Sequence, residues 1–293
     1  MNRRLNVRKK SGKYFKQNKG RKQNVILAVS VSAVVVMILM LSIVKIYSTV
    51  KNNGSGEKPN ASQAQVQATA TPVPESVQTA AQPTPAPAAP VVRDKAVALT
   101  FDDGPSRAND GKIVETLQKY GAHATFFVLG DRARVDGDIL QMYLAAGCEI
   151  GSHSWNHPQL SKIKWNRVKR QLSKTNRTVS KLTGGYQIRL LRPPYGSISK
   201  TMRKKLDMPM ILWSLDTLDW KTRNTKKIFR EVRKEVKDGD IILMHDIYST
   251  TAEAVEKVVP WLQNKGYDVL TVSELMERKG KNIENGSAYL HGR

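Results

Sequence analysis

Between residues 91 and 293, short apolar runs of strand character alternate with stretches of helical periodicity, and this alternation restricts the fold more than any other feature. The strand-like runs are Val97–Phe101, Ala124–Leu129, Ile188–Leu191, Met210–Leu215, Ile241–Met244 and Asp268–Thr271. The helical stretches between them are Arg107–Tyr120, Ile139–Ala146, Trp165–Thr183, Lys200–Leu206, Thr225–Val236 and Thr251–Lys265. Such a chain builds an α/β domain with mainly parallel strands, either a barrel or a doubly wound sheet. Several runs end directly in polar residues of catalytic type: Asp102 and Asp103, Arg192, Asp216 to Trp220, and His245. In a β/α barrel the carboxyl ends of all strands ring one face, so residues far apart in sequence meet there; the pattern favours the barrel.

The segments before this domain are of another kind. Residues 1–24 hold ten basic and no acidic residues, and Val25–Val44 is an uncharged apolar run of 20 residues. That length spans a hydrocarbon core of roughly 30 Å. It exceeds the apolar stretch of a cleaved leader and lacks a small-residue cleavage site, so the expectation is a retained transmembrane helix. The basic residues on its amino side place the N-terminus in the cytoplasm and the rest of the chain outside. Residues 45–90 are rich in Pro, Ala and Gln and have too few large apolar side chains for a core, which predicts a disordered linker. Residues 281–293 read as a polar tail.

The formal charge of +23 would suggest a nucleic acid or an anionic surface as partner if it sat on one structured face. Much of it lies in the N-terminal tail; residues 91–293 carry 35 basic and 23 acidic residues, a net +12. Their cations come without interleaved aromatics or a DNA-binding motif, so no nucleic-acid partner is expected. A solvated surface, or attraction to an anionic wall polymer, accounts for them. The single Cys148 excludes an internal disulfide and a cysteine-rich zinc cluster, and reads as a small buried packing residue.

Two chemical signals stand out within the domain. His153 and His157 are four residues apart, a spacing that on one helical turn lets both imidazoles reach one ion, or that belongs to a solvated or core pair. Asp102 and Asp103 lie in Asp-Asp-Gly-Pro directly after a strand; this is turn chemistry, or a metal ligand beside a base. Asp219 could instead cap a short helix, Arg192 could serve a surface ion pair, and Trp220 and Leu243 could be plain core residues.

Assembled, the motifs Thr100–Pro105, His153–His157, Arg192–Gly196, Asp216–Trp220 and Leu243–His245 resemble, in order, those of the polysaccharide deacetylases, the NodB-homology domains of carbohydrate esterase family four. The resemblance spans roughly Lys95–Leu275 and implies a distorted (β/α) barrel. It implies a metal held by Asp103, His153 and His157, zinc first and cobalt or another divalent ion also suiting the ligands. Asp102 is then the general base, oriented by Arg192, and the Tyr195 backbone N–H helps hold the oxyanion. His245 is the general acid with Asp219 as its carboxylate partner, and Trp220 and Leu243 line the acetyl-methyl pocket. The expected activity is hydrolysis of N-acetyl groups on a cell-wall glycan, with peptidoglycan N-acetylglucosamine as substrate and the domain facing the wall. Chitin-type oligosaccharides, another acetylated glycan, or glycan binding without turnover are the alternatives.

Overall fold

The computed structural model describes residues 93–293, so the basic tail, the apolar run of residues 25–44 and all of the linker lie outside the described residues. Among the described residues no helix is long and apolar enough to cross a membrane. The domain is built on parallel strands. β1 (Lys95–Asp102) pairs with β2 (Thr125–Val128), and β2 with β3 (Glu149–Ser152). On its other side β1 pairs with β6 (Ile241–His245), which pairs with β5 (Leu215–Asp216), while the start of β1 also pairs with β7 (Tyr267–Leu270). Single parallel bridges continue from Ser152 to Leu191 and from Leu191 to Met210 in β4 (Met210–Ile211), which pairs with β8 (Ala288–Tyr289). The hydrogen-bonded path therefore runs from β5 to β8. This is an α/β fold with a parallel sheet.

Every residue of β1 except Lys95 is buried, as expected of a strand covered on both faces. Its alternation sorts the two sides. Val97, Leu99 and Phe101 pack with Ile113, Leu117, Phe126, Val255 and Val258 under the outer helices Asp110–Lys119 and Ser249–Asn264. Ala96 and Ala98 face Phe127, Leu190 and Ile211 on the inside. Thr100 and Asp102 continue that inner row, and the small residues below them leave room for polar side chains above.

Four expectations change here. The run Ile188–Leu191 contributes only bridges at Leu191, and Met210–Leu215 is split into β4 and β5. The split has a tertiary cause: the carbonyls of Ile211 and Leu212 accept hydrogen bonds from the buried Arg192 guanidinium, at 3.2 and 2.9 Å. β3, whose Glu-Ile-Gly-Ser sequence carries one large apolar residue, was not among the expected strands. The polar segment beyond Gly280 adds β8, and Gly292 N donates to the Gly239 carbonyl.

Candidate active site

The strand ends bring the motif residues to one face. Asp103 follows β1 with a φ of 74°, so its carboxylate leaves the strand in a different direction from that of Asp102. Its buried Oδ1 has no hydrogen-bond partner and lies 3.7 Å from His153 Nε2 and 3.6 Å from His157 Nε2. Those distances are too long for hydrogen bonds. They match the roughly 3.4 Å that separates two donors bound about 2.1 Å from one tetrahedral ion. His153 Nδ1 lies 2.7 Å from the Arg192 carbonyl, which can only accept, so Nδ1 carries the hydrogen and the Nε2 lone pair faces Asp103. The three residues fit a divalent metal.

The two histidines do not share a helical turn, contrary to the expectation from their spacing. They lie on a loop in which Ser154 and His157 have φ values of 76° and 61°, and Ser154 Oγ accepts from His157 N at 3.1 Å. Pro158 follows, and the residue before a proline is disfavoured in the α region. Spacing placed the rings together, but by a loop.

Asp102 is almost fully buried, its Oδ1 2.8 Å from Arg192 Nη1 and its Oδ2 3.7 Å from His153 Nε2. Burial pushes its carboxyl up, but Arg192, His153 and His245 together outweigh this and hold it below the ordinary carboxylate range. Arg192 is wholly buried, lies 4.2 Å from the Phe127 ring centroid and donates to Thr100 Oγ1 at 2.7 Å. It is therefore no surface ion pair. Arg192→Met would leave the Asp102 charge buried without its partner, and is expected to cost about 3–5 kcal/mol. For a domain of this size that lowers the melting temperature by roughly 6–20 °C, which scanning calorimetry checks.

On the opposite wall, Asp219 is wholly buried and takes four hydrogen bonds. Its Oδ1 is 2.8 Å from His245 Nδ1 and accepts from Trp220 N; its Oδ2 accepts from His245 N and Thr251 Oγ1. Burial would lower the His245 value, but the hydrogen bond and charge of Asp219 reverse this, and the imidazole is raised above its ordinary 6.5. The β1–β6 register sets Asp102 directly across from His245.

Between the walls lies a cavity of about 390 Å³. Asp102, Asp103, His153, His157, Tyr195, Trp220, Leu243 and His245 line it, with Arg192 and Asp219 behind the first layer. Trp213, Asp216 and Tyr248 also line it and had been given no role; Trp213 and Tyr248 fall outside the motifs. Tyr195 is held at φ 63° with its ring 4.6 Å from that of His157. Behind the Asp-Asp-Gly-Pro turn, Asp246 is wholly buried with neither carboxylate oxygen hydrogen-bonded, and burial together with nearby Asp110 raises it well above the ordinary value. Asp110, which accepts from Tyr143 Oη, is itself pushed by burial up to about 7. The Asp246 carboxylate fills the space where a Cβ on Gly104 would stand.

A family profile described as polysaccharide deacetylase matches residues 90–209. The chain is 43% identical over 185 residues to the peptidoglycan N-acetylmuramic acid deacetylase PdaC of Bacillus subtilis, covering 63% of this chain and 39% of that protein. It is 39% identical over 196 residues to the peptidoglycan N-acetylglucosamine deacetylase PgdA of Listeria monocytogenes, covering 67% of this chain and 41% of that protein. The chain thus spans about two fifths of the length of these relatives. Among solved structures, that of PdaC aligns with a TM-score of 0.62 and 42% identity over 64% of this chain and 92% of the other. A family 4 acetyl xylan esterase from Clostridium thermocellum, in complex with a cobalt ion, aligns with a TM-score of 0.64 and 31% identity, covering 67% and 98%.

Proposed function

The chain belongs to the polysaccharide deacetylase family, and on that premise we propose that it hydrolyses the N-acetyl groups of N-acetylhexosamine units in cell-wall peptidoglycan, with N-acetylglucosamine as the sugar. The observation that carries this reading is the set of Asp103, His153 and His157 donor atoms, all within 4.8 Å of one another, in a cavity that Asp102 and His245 also line. Those three would hold the ion, for which zinc is the proposal. A bound divalent ion supplies Lewis-acid polarisation of the acetamide carbonyl and makes water more acidic.

The protein's own groups do the rest. Asp102, kept anionic by Arg192, takes a proton from the attacking water as its oxygen adds to the carbonyl carbon. The backbone N–H of Tyr195 donates to the oxyanion of the tetrahedral intermediate. His245, kept protonated by Asp219, delivers a proton to the amide nitrogen as the C–N bond breaks, leaving acetate and a free amine. Trp220 and Leu243 form the apolar wall for the acetyl methyl. The remaining proposal is topological: residues 25–44 anchor the chain, and the linker carries the domain outward to the wall.

Acetate release from peptidoglycan and from chitooligosaccharides, with zinc or cobalt and with chelator, tests the reading. Chelator-sensitive release with preference for peptidoglycan is expected; sequencing the sugars left as free amines distinguishes glucosamine from muramic acid. A folded, metal-loaded protein that binds glycan without releasing acetate would replace it with a binding role. Activity requires ionised Asp102 and protonated His245, so the pH profile should hold above the ordinary imidazole value of 6.5 before falling on the alkaline side. Asp219→Asn removes the largest of the influences that raise His245 against its burial, and should move the alkaline limb to lower pH.

A further inference from the structure

The helix Trp165–Leu182 carries six cations and no acidic residue. Val168, Leu172, Thr175 and Val179 form its buried face. Arg167, Arg170, Lys174, Arg177 and Lys181 follow one another at alternating intervals of three and four, which puts all of them on the opposite face, and all are exposed. The row is about 21 Å long at roughly 1.5 Å per residue.

This row is costly to the helix. Each successive pair along it is a like-charged neighbour at i+3 or i+4, a destabilising arrangement. The first turn lacks the acidic residue that the helix dipole favours. Among the described residues none of the five cations joins an ion pair. The helix Thr225–Glu235 shows the ordinary arrangement: its five cations are interleaved with Glu231 and Glu235, and Lys234 pairs with Glu235 at 2.7 Å.

The row also lies against the catalytic face. Lys174 Nζ sits 3.7 Å from the Trp155 ring centroid. Gln171 accepts from Trp155 N and donates to Asn156 Oδ1, both at 2.8 Å, so this helix braces the loop between His153 and His157.

We propose that this face binds a linear polyanion with repeated phosphate groups, holding the domain on a charged polymer alongside the glycan it acts on. Three of the five cations are arginines, whose planar forks suit phosphate oxygens. A lipid surface fits less well, because interfacial helices insert an apolar face and that of this helix is already buried in the domain. Single-stranded nucleic acid needs aromatic platforms along the row, and the Trp155 ring is covered by Lys174.

The test uses the full chain and labelled long-chain inorganic polyphosphate, titrated between about 50 and about 200 mM salt. Two variants each lose five cations: Arg167, Arg170, Lys174, Arg177 and Lys181 to Gln, or Lys226, Lys227, Arg230, Arg233 and Lys234 to Gln. Both keep the basic N-terminal tail, whose contribution cancels. The first should lose at least tenfold in affinity, its plot of log K against log salt flattening by about 3.5 units for five phosphate contacts; the second should stay within about twofold. Equal losses, or none, would overturn the proposal. So would undiminished transfer of the lost affinity to polyglutamate or to phosphatidylglycerol vesicles, that is, a stripe-dependent binding stronger for either than for polyphosphate. The surface pair Arg170→Gln with Arg177→Gln gives the same comparison at about two fifths of the slope change if the fivefold variant does not fold.

Discussion

Replacing Asp103 and His153 together by Ala is expected to abolish stoichiometric metal binding and to lower acetate release by about 10³-fold or more. The size follows from the several kcal/mol that a Lewis acid contributes to such a transition state, at about 1.4 kcal/mol per tenfold. Asp103 Oδ1 is buried and unpaired in the protein alone, so its loss removes no internal hydrogen bond, and His153 gives up only its bond to the Arg192 carbonyl. The fold should therefore survive. Metal content measured on the purified variant, beside its melting curve, separates loss of the ion from loss of structure; chelator-sensitive release that persists would sink the assignment.

Asp102→Asn should leave metal binding in place and lower kcat by about 10²–10⁴-fold, the usual contribution of a positioned general base. The amide is the same size as the carboxylate, and its oxygen can still accept from Arg192 Nη1. What disappears is the ability to take a proton. KM should change little, because substrate contacts are unaltered, so a variant that raised KM while keeping kcat would place Asp102 in binding instead.

The sequence made much of the catalytic face legible because most motif residues follow an apolar run, and the parallel strands deliver those ends to one side; the histidine loop follows β3, which has no such run. Asp102 and His245 illustrate this: both end buried strands, and the β1–β6 register pairs them. What escaped was set by tertiary contacts. The run Met210–Leu215 has strand composition throughout, yet Arg192, from another segment, draws the Ile211 and Leu212 carbonyls to itself. The spacing of His153 and His157 fits a helix as well as a loop, and only the left-handed Ser154 and His157 decide between them. Trp213 and Tyr248 reach the cavity from segments whose local pattern marks them as ordinary aromatics. Asp219 also fits a helix cap on local sequence, and its four hydrogen bonds become visible only when Thr251 and His245 are brought beside it.

The turn at Gly104 ties together two positions that lie 142 residues apart in the chain. A Cβ there would stand 2.0 Å from an Asp246 carboxylate oxygen, so Gly104 cannot change while Asp246 stays. An alanine at 104 would be tolerated only in a sequence that had first shortened 246, for example to Ser or Gly. Across many descendants of this chain, acid at the second position should always come with glycine at the first, and the rare lineages that lose the glycine should have lost the acid as well. The glycine would then be held in place by the acid behind it, although neither residue lines the cavity.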